Sequence, residues 1–242
     1  MDGNGRWAKS KFRPRLWGHV RGSSIVSEII EEARDLKLNS LTLYAFSSEN
    51  WSRPKEEING LFKLLDKYLV KEKKRILENN ICFKVIGDIS ALPEKTKTKI
   101  SELEDLSSQN GGLKLYFAFS YGSQQEILRS VNIFINRNPG QKMTAQDMAA
   151  GFYSPEIPQI DLLIRTSGEM RISNFLLWQL AYAELYFSPT LWPDFSKEEF
   201  RSIIKAVSTR ERRFGSLLNE ADLTLISQKA DSQKAQFREE LN

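Results

Sequence analysis

Five short apolar runs punctuate the chain: "LTLYAF" (41–46), "ICFKVIG" (81–87), "LKLYFAF" (113–119), "DLLIR" (161–165) and "ELYF" (184–187). They are too short for helices, rich in aromatic and branched residues, and set off by Gly, Asn, Asp or Ser, so they read as buried strands. Segments of helical period lie between them. Ile25, Ile29, Ala33 and Leu36 form one stripe, and Ile58, Leu61, Phe62, Leu65, Tyr68 and Leu69 form a wider face. Further helices are expected at 95–107, 124–136 and 197–207. Strands separated by helices imply parallel pairing through right-handed crossovers. The expectation is an α/β fold with an open, mainly parallel central sheet flanked by helices. No repeat or low-complexity linker divides residues 1–215, which read as one domain. Residues 216–242 turn to Gln, Lys, Glu and Ser and read as a polar tail or terminal helix.

Composition excludes several classes. The longest apolar stretch, "NFLLWQLAYAELYF" (174–187), is interrupted by Gln179 and Glu184 and is too short to cross a bilayer. No secretory signal pattern is present. One cysteine, Cys82, rules out an intramolecular disulfide framework and fits a cytoplasmic protein. The net charge of +4 suits an anionic ligand but lacks the concentrated basic stripe expected for nucleic acid. One histidine and one cysteine leave no triad and no zinc cluster.

The first ten residues, "MDGNGRWAKS", carry Gly3 and Gly5, which let backbone approach a ligand closely. If "RWAKSK" opens a helix, its free N–H groups face that ligand. Arg6 offers a planar fork to phosphate oxygens. Asp2 would repel bare phosphate, which points to a bridging Mg²⁺. Read by itself the motif is first of all an Asp-Gly/Asn-Gly turn.

Two strand ends add polar groups where ligands of open parallel sheets sit. "SSENWSRP" (47–54) offers Ser47, Ser48, Asn50 and Arg53 with Trp51 as an apolar wall, while Ser52 and Pro54 suit the start of the next helix. "RTSGEMRISNF" (165–175) gathers Arg165, Arg171 and Ser173, with Glu169 as the one nearby acid. His19, four residues after Arg15, is either a core histidine or part of the anion site. Glu184, in its apolar run, is a buried acid with a local partner or a metal ligand. A metal–diphosphate site with apolar walls emerges, the lipid part of the substrate occupying a hydrophobic tunnel between sheet and helices.

"MDGNGRWA", "GHVRG", "LTLYAFSSENWSRP", "DLLIRTSGEMRISNFLLWQLAYAELYF", "LWPDF" and "RERRFG" together resemble the cis-prenyltransferase family, specifically its bacterial undecaprenyl diphosphate synthases. The resemblance runs from residue 1 to about 215. It implies a transferase that condenses isopentenyl diphosphate onto an allylic diphosphate such as farnesyl diphosphate, with cis geometry. The product would be a long polyprenyl diphosphate, undecaprenyl diphosphate for a cell-wall lipid carrier. It also implies Mg²⁺, a homodimer, and product delivery to a membrane that the cytoplasmic enzyme contacts peripherally. By resemblance, Asp2 and Glu184 hold metal. Gly3, Asn4, Gly5, Arg6, Trp7, Arg15 and His19 hold the allylic diphosphate, and Ser47, Ser48, Glu49, Trp51 and Arg53 make further contacts. Arg165, Arg171, Ile172 and Ser173 hold isopentenyl diphosphate, and "RFG" (213–215) reaches a neighbouring subunit. Asn50 matches a proposed proton acceptor, although a neutral amide is a poor base and a phosphate oxygen or relayed water competes for the role.

Three departures stand out. No apolar run precedes the opening motif, where the family has its first strand, and residues upstream of Met1 are expected. Ser120, Ser123 and Gln124 stand where members carry an amide, a glycine and an arginine. Met170 stands where histidine is common. The alternatives are a cis-prenyltransferase of another product length, a non-catalytic partner subunit of the same fold, and a phosphate- or nucleic-acid-binding module.

Overall fold

The computed structural model describes residues Met1–Thr209, and Met1–Val207 form one compact unit. The tail at 216–242 and "RFG" at 213–215 lie outside the described residues. All five anticipated strands are present: β1 (Ser40–Ser47), β2 (Cys82–Ile86), β3 (Lys114–Tyr121), β4 (Leu162–Arg165) and β5 (Glu184–Phe187). The helices are α1 (Asn4–Ser10), α2 (Arg15–Asp35), α3 (Lys55–Glu78), α4 (Glu94–Ser107), α5 (Ser123–Arg137), α6 (Ala145–Ala150) and α7 (Lys197–Ser208). Every strand pairing is parallel, but the strands fall into two sheets, one ordered β1-β3-β2 and the other β4-β5.

β3 is the central strand and is buried from Leu115 to Tyr121, as a parallel strand covered on both faces must be. Its side chains alternate between two cores. Leu115, Phe117 and Phe119 join the larger one, with Ile25, Ile29 and Leu65 from α2 and α3. Tyr116 and Ala118 join the smaller one, with Phe175, Leu176 and Leu180. Tyr121 also lies in the smaller core, so the alternation slips by one residue after Phe119. Ser120 supplies the slip with a left-handed backbone, φ 51°, and β1 matches it with register shifts between Tyr44 and Ser47.

The anticipated helical stripes fall where the period put them: Ile25, Ile29 and Ala33 on α2, and Ile58, Phe62, Leu65, Tyr68 and Leu69 on α3, are buried. One local expectation fails. Ser52 does not cap α3; its hydroxyl donates to the Glu49 carbonyl at 2.8 Å. Pro54 holds the cap position with no side-chain bond, its fixed φ suited to entering the helix. The run 174–183 is neither strand nor helix; it is a series of turns that buries Phe175, Leu176 and Leu180.

Candidate active site

Three segments meet at the carboxyl ends of β1 and β4. Gly3 adopts φ 101°, which only glycine takes freely, and a β-carbon there would sit 2.8 Å from Leu191 Cδ2. This bend carries Asp2 onto the end of β4. The Asp2 amide donates to Thr166 Oγ1 at 2.9 Å, the Thr166 hydroxyl returns a bond to the Asp2 carbonyl, and Trp192 N–H donates to the same carbonyl at 3.0 Å. The carboxylate accepts Gly3 N–H at 2.6 Å on one oxygen and Arg165 Nη2 at 2.9 Å on the other. Burial alone would raise its pKa. The Arg165 and Gly3 hydrogen bonds, with the charge of Arg165, outweigh that and hold the carboxyl below its usual range. Asp2 is therefore ionised at neutral pH.

Arg165 bridges two of the predicted groups. Beside Asp2, it donates through Nη1 to Ser173 Oγ at 2.7 Å and to the Arg171 carbonyl. Arg171 pairs with Glu169 at 2.5 Å, and Arg6 reaches the same carboxylate at 3.2 Å as well as the Ser167 hydroxyl. The crowded arginine charge is thus met by two acids, Asp2 and Glu169. The loop carrying them is strained: Ser167, Ser173, Asn174 and Leu176 all have positive φ. It is bolted to α5, where Gln124 N–H donates to Asn174 Oδ1 at 2.8 Å and Leu177 N–H donates to Ser123 Oγ at 2.9 Å.

The third segment is the turn Ser48–Ser52 after β1. Asn50 Oδ1 accepts Ser47 N–H at 3.2 Å. Asn174 Nδ2 donates to Glu49 at 3.0 Å, joining this turn to the arginine loop. Burial would raise the Glu49 carboxyl, but the Asn174, Ser47 and Ser48 hydrogen bonds and its own backbone N–H lower it on balance. Trp51 donates its indole N–H to Ser120 Oγ at 2.9 Å and packs edge-on against Phe46 and Phe62. Arg53 and Arg15 share Glu57 at 3.0 and 3.4 Å.

Helix α2 closes the site from above. A β-carbon on Gly18 would lie 2.0 Å from the Asn4 carbonyl oxygen, and one on Gly22 would lie 2.2 Å from Asn4 Oδ1. Those two glycines let Asn4 lie directly on the helix. His19 is largely buried, and burial, Arg53 and Arg15 lower its pKa to about 4 against the opposing pull of Glu57, so the ring is neutral. His19 Nε2 and Asn4 Oδ1 are buried with no hydrogen-bond partner among the described residues. Buried polar atoms normally find partners, so orphans clustered at one site mark a ligand's place.

A cavity of about 1200 Å³ opens here. Its polar wall includes Asp2, Asn4, His19, Ser47, Glu49, Asn50, Arg53, Arg165 and Ser173, with Ile172 beside them. An apolar stretch of the wall runs along β1 and between the sheet and helices α2 and α3, past Val26, Ile29, Leu61, Leu65, Phe117 and Phe119.

Several predicted residues serve the frame rather than the cavity wall. Trp7 is buried, donates to Asp194 Oδ1 at 2.7 Å, and stacks on Trp17 at 5.0 Å. Gly5 makes room for the Arg15 guanidinium. Glu184 is not brought to Asp2 within this chain. It pairs with Leu162 at the start of the β4-β5 ladder, three positions before Phe187, the partner of Arg165. At the usual strand rise that is about 10 Å away. Met170 is exposed. Thr166, Ser167, Asn174 and Trp192 escaped the sequence reading, because their contacts are with residues far along the chain.

Among the described residues no three His, Cys, Asp or Glu side chains converge as a metal cage. Asp2 alone, ionised at the cavity wall, suits a divalent ion that takes most of its ligands from substrate phosphates and water.

Comparison with known proteins bears on this geometry. A chain from Haemophilus influenzae, named ditrans,polycis-undecaprenyl-diphosphate synthase ((2E,6E)-farnesyl-diphosphate specific), is 46% identical over 220 residues, covering 89% of this chain and 92% of the relative. An isoprenyl transferase of Thermotoga maritima is 42% identical over 222 residues, covering 90% and 95%. Among solved structures, lavandulyl diphosphate synthase from Lavandula x intermedia, in complex with dimethylallyl diphosphate, superposes with a TM-score of 0.84 at 32% identity, covering 89% of this chain and 95% of that one. A probable undecaprenyl diphosphate synthase from Campylobacter jejuni gives 0.74 at 37% identity, covering 81% and 92%. The profile of the prenyltransferase family described as putative undecaprenyl diphosphate synthase matches residues 1–215, the span that builds Asp2, Arg165 and the cavity between them and the helices, and the chain belongs to that family.

Proposed function

We propose that the chain elongates farnesyl diphosphate with isopentenyl diphosphate units in cis geometry, giving undecaprenyl diphosphate. The observation that carries this reading is the Asp2–Arg165 pair set at the wall of a deep apolar cavity. Diphosphates sit at the polar wall, and the growing hydrocarbon uses the apolar remainder as its tunnel.

In each cycle the allylic C–O bond breaks, pyrophosphate leaves, a carbon–carbon bond forms to isopentenyl diphosphate, and one proton is lost. Arg6, Asn4 and neutral His19 hold the allylic diphosphate, His19 using its unpaired Nε2. Arg165, Arg171 and Ser173 orient isopentenyl diphosphate so that its reacting carbon faces the allylic one. These fixed donors stabilise charge gathering on the leaving diphosphate without reorganising. Asp2 would hold Mg²⁺, which when bound neutralises that same charge. Asn50 positions rather than deprotonates: its amide is neutral and its Oδ1 already accepts Ser47 N–H. A diphosphate oxygen takes the proton.

The protein works as a homodimer at a membrane face. Exposed Trp178, Tyr182 and Leu185 around the β5 edge supply an apolar surface for the second subunit. No described helix is long and apolar enough to cross a membrane.

The deciding experiment incubates the protein with farnesyl diphosphate, labelled isopentenyl diphosphate and Mg²⁺, then sizes the product. Chains of eleven isoprene units are the result expected from the name of the Haemophilus relative. No incorporation of label overturns the reading.

A further inference from the structure

We infer that the hairpin of α1 and the first turns of α2 is the surface on which the protein lies against an anionic lipid bilayer. This deepens the proposed function by assigning its membrane contact to particular residues.

Four apolar side chains stand outward here. Phe12 is 97% exposed, Val20 50%, Trp17 44% and Leu16 38%. Phe12 also holds φ 54°, so a bulky ring is presented to solvent from a backbone region that bulky residues avoid. Neither burial nor local geometry among the described residues accounts for it. The group is not spread at random: Leu16 and Val20 are one helical turn apart, and Leu16 leans on α3 at Gly60.

Along the segment itself the charge has one sign, and Glu57 of α3 pairs with Arg15 at its edge. Residues 9–21 contain Lys9, Lys11, Arg13, Arg15 and Arg21, and no carboxylate occurs between Asp2 and Glu28. Lys9, Lys11, Arg13 and Arg21 are exposed, and Arg13 lies over the Trp17 ring at 5.6 Å. Aromatic and aliphatic residues ringed by lysine and arginine are the composition of segments that bury an apolar face at the headgroup boundary while cations meet anionic lipid. An acidic protein partner would satisfy the cations but leave Phe12 without an apolar slot, so a lipid surface fits both features.

The location gives the contact a purpose. At about 100° per residue, Arg15, His19 and Gly22 occupy one sector of α2 and face the site, and Leu16, Trp17 and Val20 occupy the adjoining sector. A bilayer seated on the second sector lies one helix width from the cavity, so a polyprenyl tail leaving the site meets lipid before bulk water.

The test is sedimentation of the full chain with phosphatidylcholine vesicles with and without phosphatidylglycerol. Binding is expected with phosphatidylglycerol, is expected to weaken as salt rises, and is expected to be slight on the neutral vesicles. Two surface variants, Phe12→Ser/Val20→Ser and Lys9→Glu/Lys11→Glu, should each lower the partition coefficient at least about tenfold. Both should keep wild-type turnover of farnesyl diphosphate in detergent, which also shows that they fold. Wild-type protein that ignores anionic vesicles, or variants that bind as wild type does, overturns the inference. So does a change in oligomeric mass in the Phe12/Val20 variant with vesicle binding intact, which would make the patch a protein interface. Vesicle binding without any chain elongation leaves the surface assigned and defeats the proposed reaction instead.

Discussion

Asp2 and Arg165 are 163 positions apart in the sequence and 2.9 Å apart at the site. This pair ties the amino-terminal loop to the end of β4, so one interaction both closes the fold and sets the charge at the cavity wall.

Replacing Asp2 therefore separates chemistry from folding. Asp2→Asn keeps an acceptor for Gly3 N–H and should fold, yet lose turnover by roughly 100- to 1,000-fold. Steady-state kcat with both diphosphates measures it, and near-normal turnover would remove Asp2 from the metal role. The bond also has a pH signature. The folded carboxyl lies below its unfolded value, so its stabilisation is complete above the unfolded pKa. It is lost only as pH falls through the lower folded value.

His19 should make the protein acid-sensitive in a higher window. Its folded pKa is lowered from 6.5 to about 4, so between those values the unfolded chain binds a proton that the folded one refuses. Stability falls as pH drops from 6.5 toward 4, by roughly 1–3 kcal/mol after allowing for solvent screening. Urea midpoints across that range should show the fall in the wild type and a shallower one in His19→Gln. Identical slopes in both proteins would mean another group is responsible.

Ser120 has two duties, a left-handed backbone and acceptance of the Trp51 N–H bond. Ser120→Asn should be tolerated, because asparagine takes positive φ readily and retains an acceptor. Ser120→Val should cost about 3 kcal/mol, combining strain with an orphaned indole. Thermal denaturation of the two variants distinguishes them; equal midpoints would contradict the assignment.

Gly22→Ala puts a methyl 2.2 Å from Asn4 Oδ1. Separating α1 from α2 should cost about 1–3 kcal/mol and raise KM for the allylic diphosphate more than that for isopentenyl diphosphate. Equal changes in the two KM values would argue that Asn4 and His19 do not serve the allylic side.

What could be read from the sequence was whatever depends on near neighbours. Strands and helices followed from run length and period, and each of the five strands lies within a few residues of its expected bounds. The slip at Ser120 was invisible because "FAFSY" alternates smoothly in letters while its backbone does not. Ser52 looked like a cap because serine usually is one, but Pro54 two residues later moved the helix start past it. Asp2 was chosen as a metal ligand, and Arg165 and Ser173 as anion ligands on another segment. That they bond to one another depends on a chain reversal no local pattern encodes. For Glu184, an acid in an apolar run says nothing about which end of its strand it occupies, and it stands at the start of the β4-β5 ladder.

Glu169 has a consequence for how substrates come and go. It already sits between Arg6 and Arg171, so under the proposed function an arriving diphosphate trades places with a resident carboxylate instead of meeting bare guanidiniums. The site then behaves as an ion exchanger: capture is softened, and the same carboxylate is at hand to reclaim its arginines when pyrophosphate departs. An enzyme that must release pyrophosphate after every added unit gains more from that recapture than from gripping each anion harder.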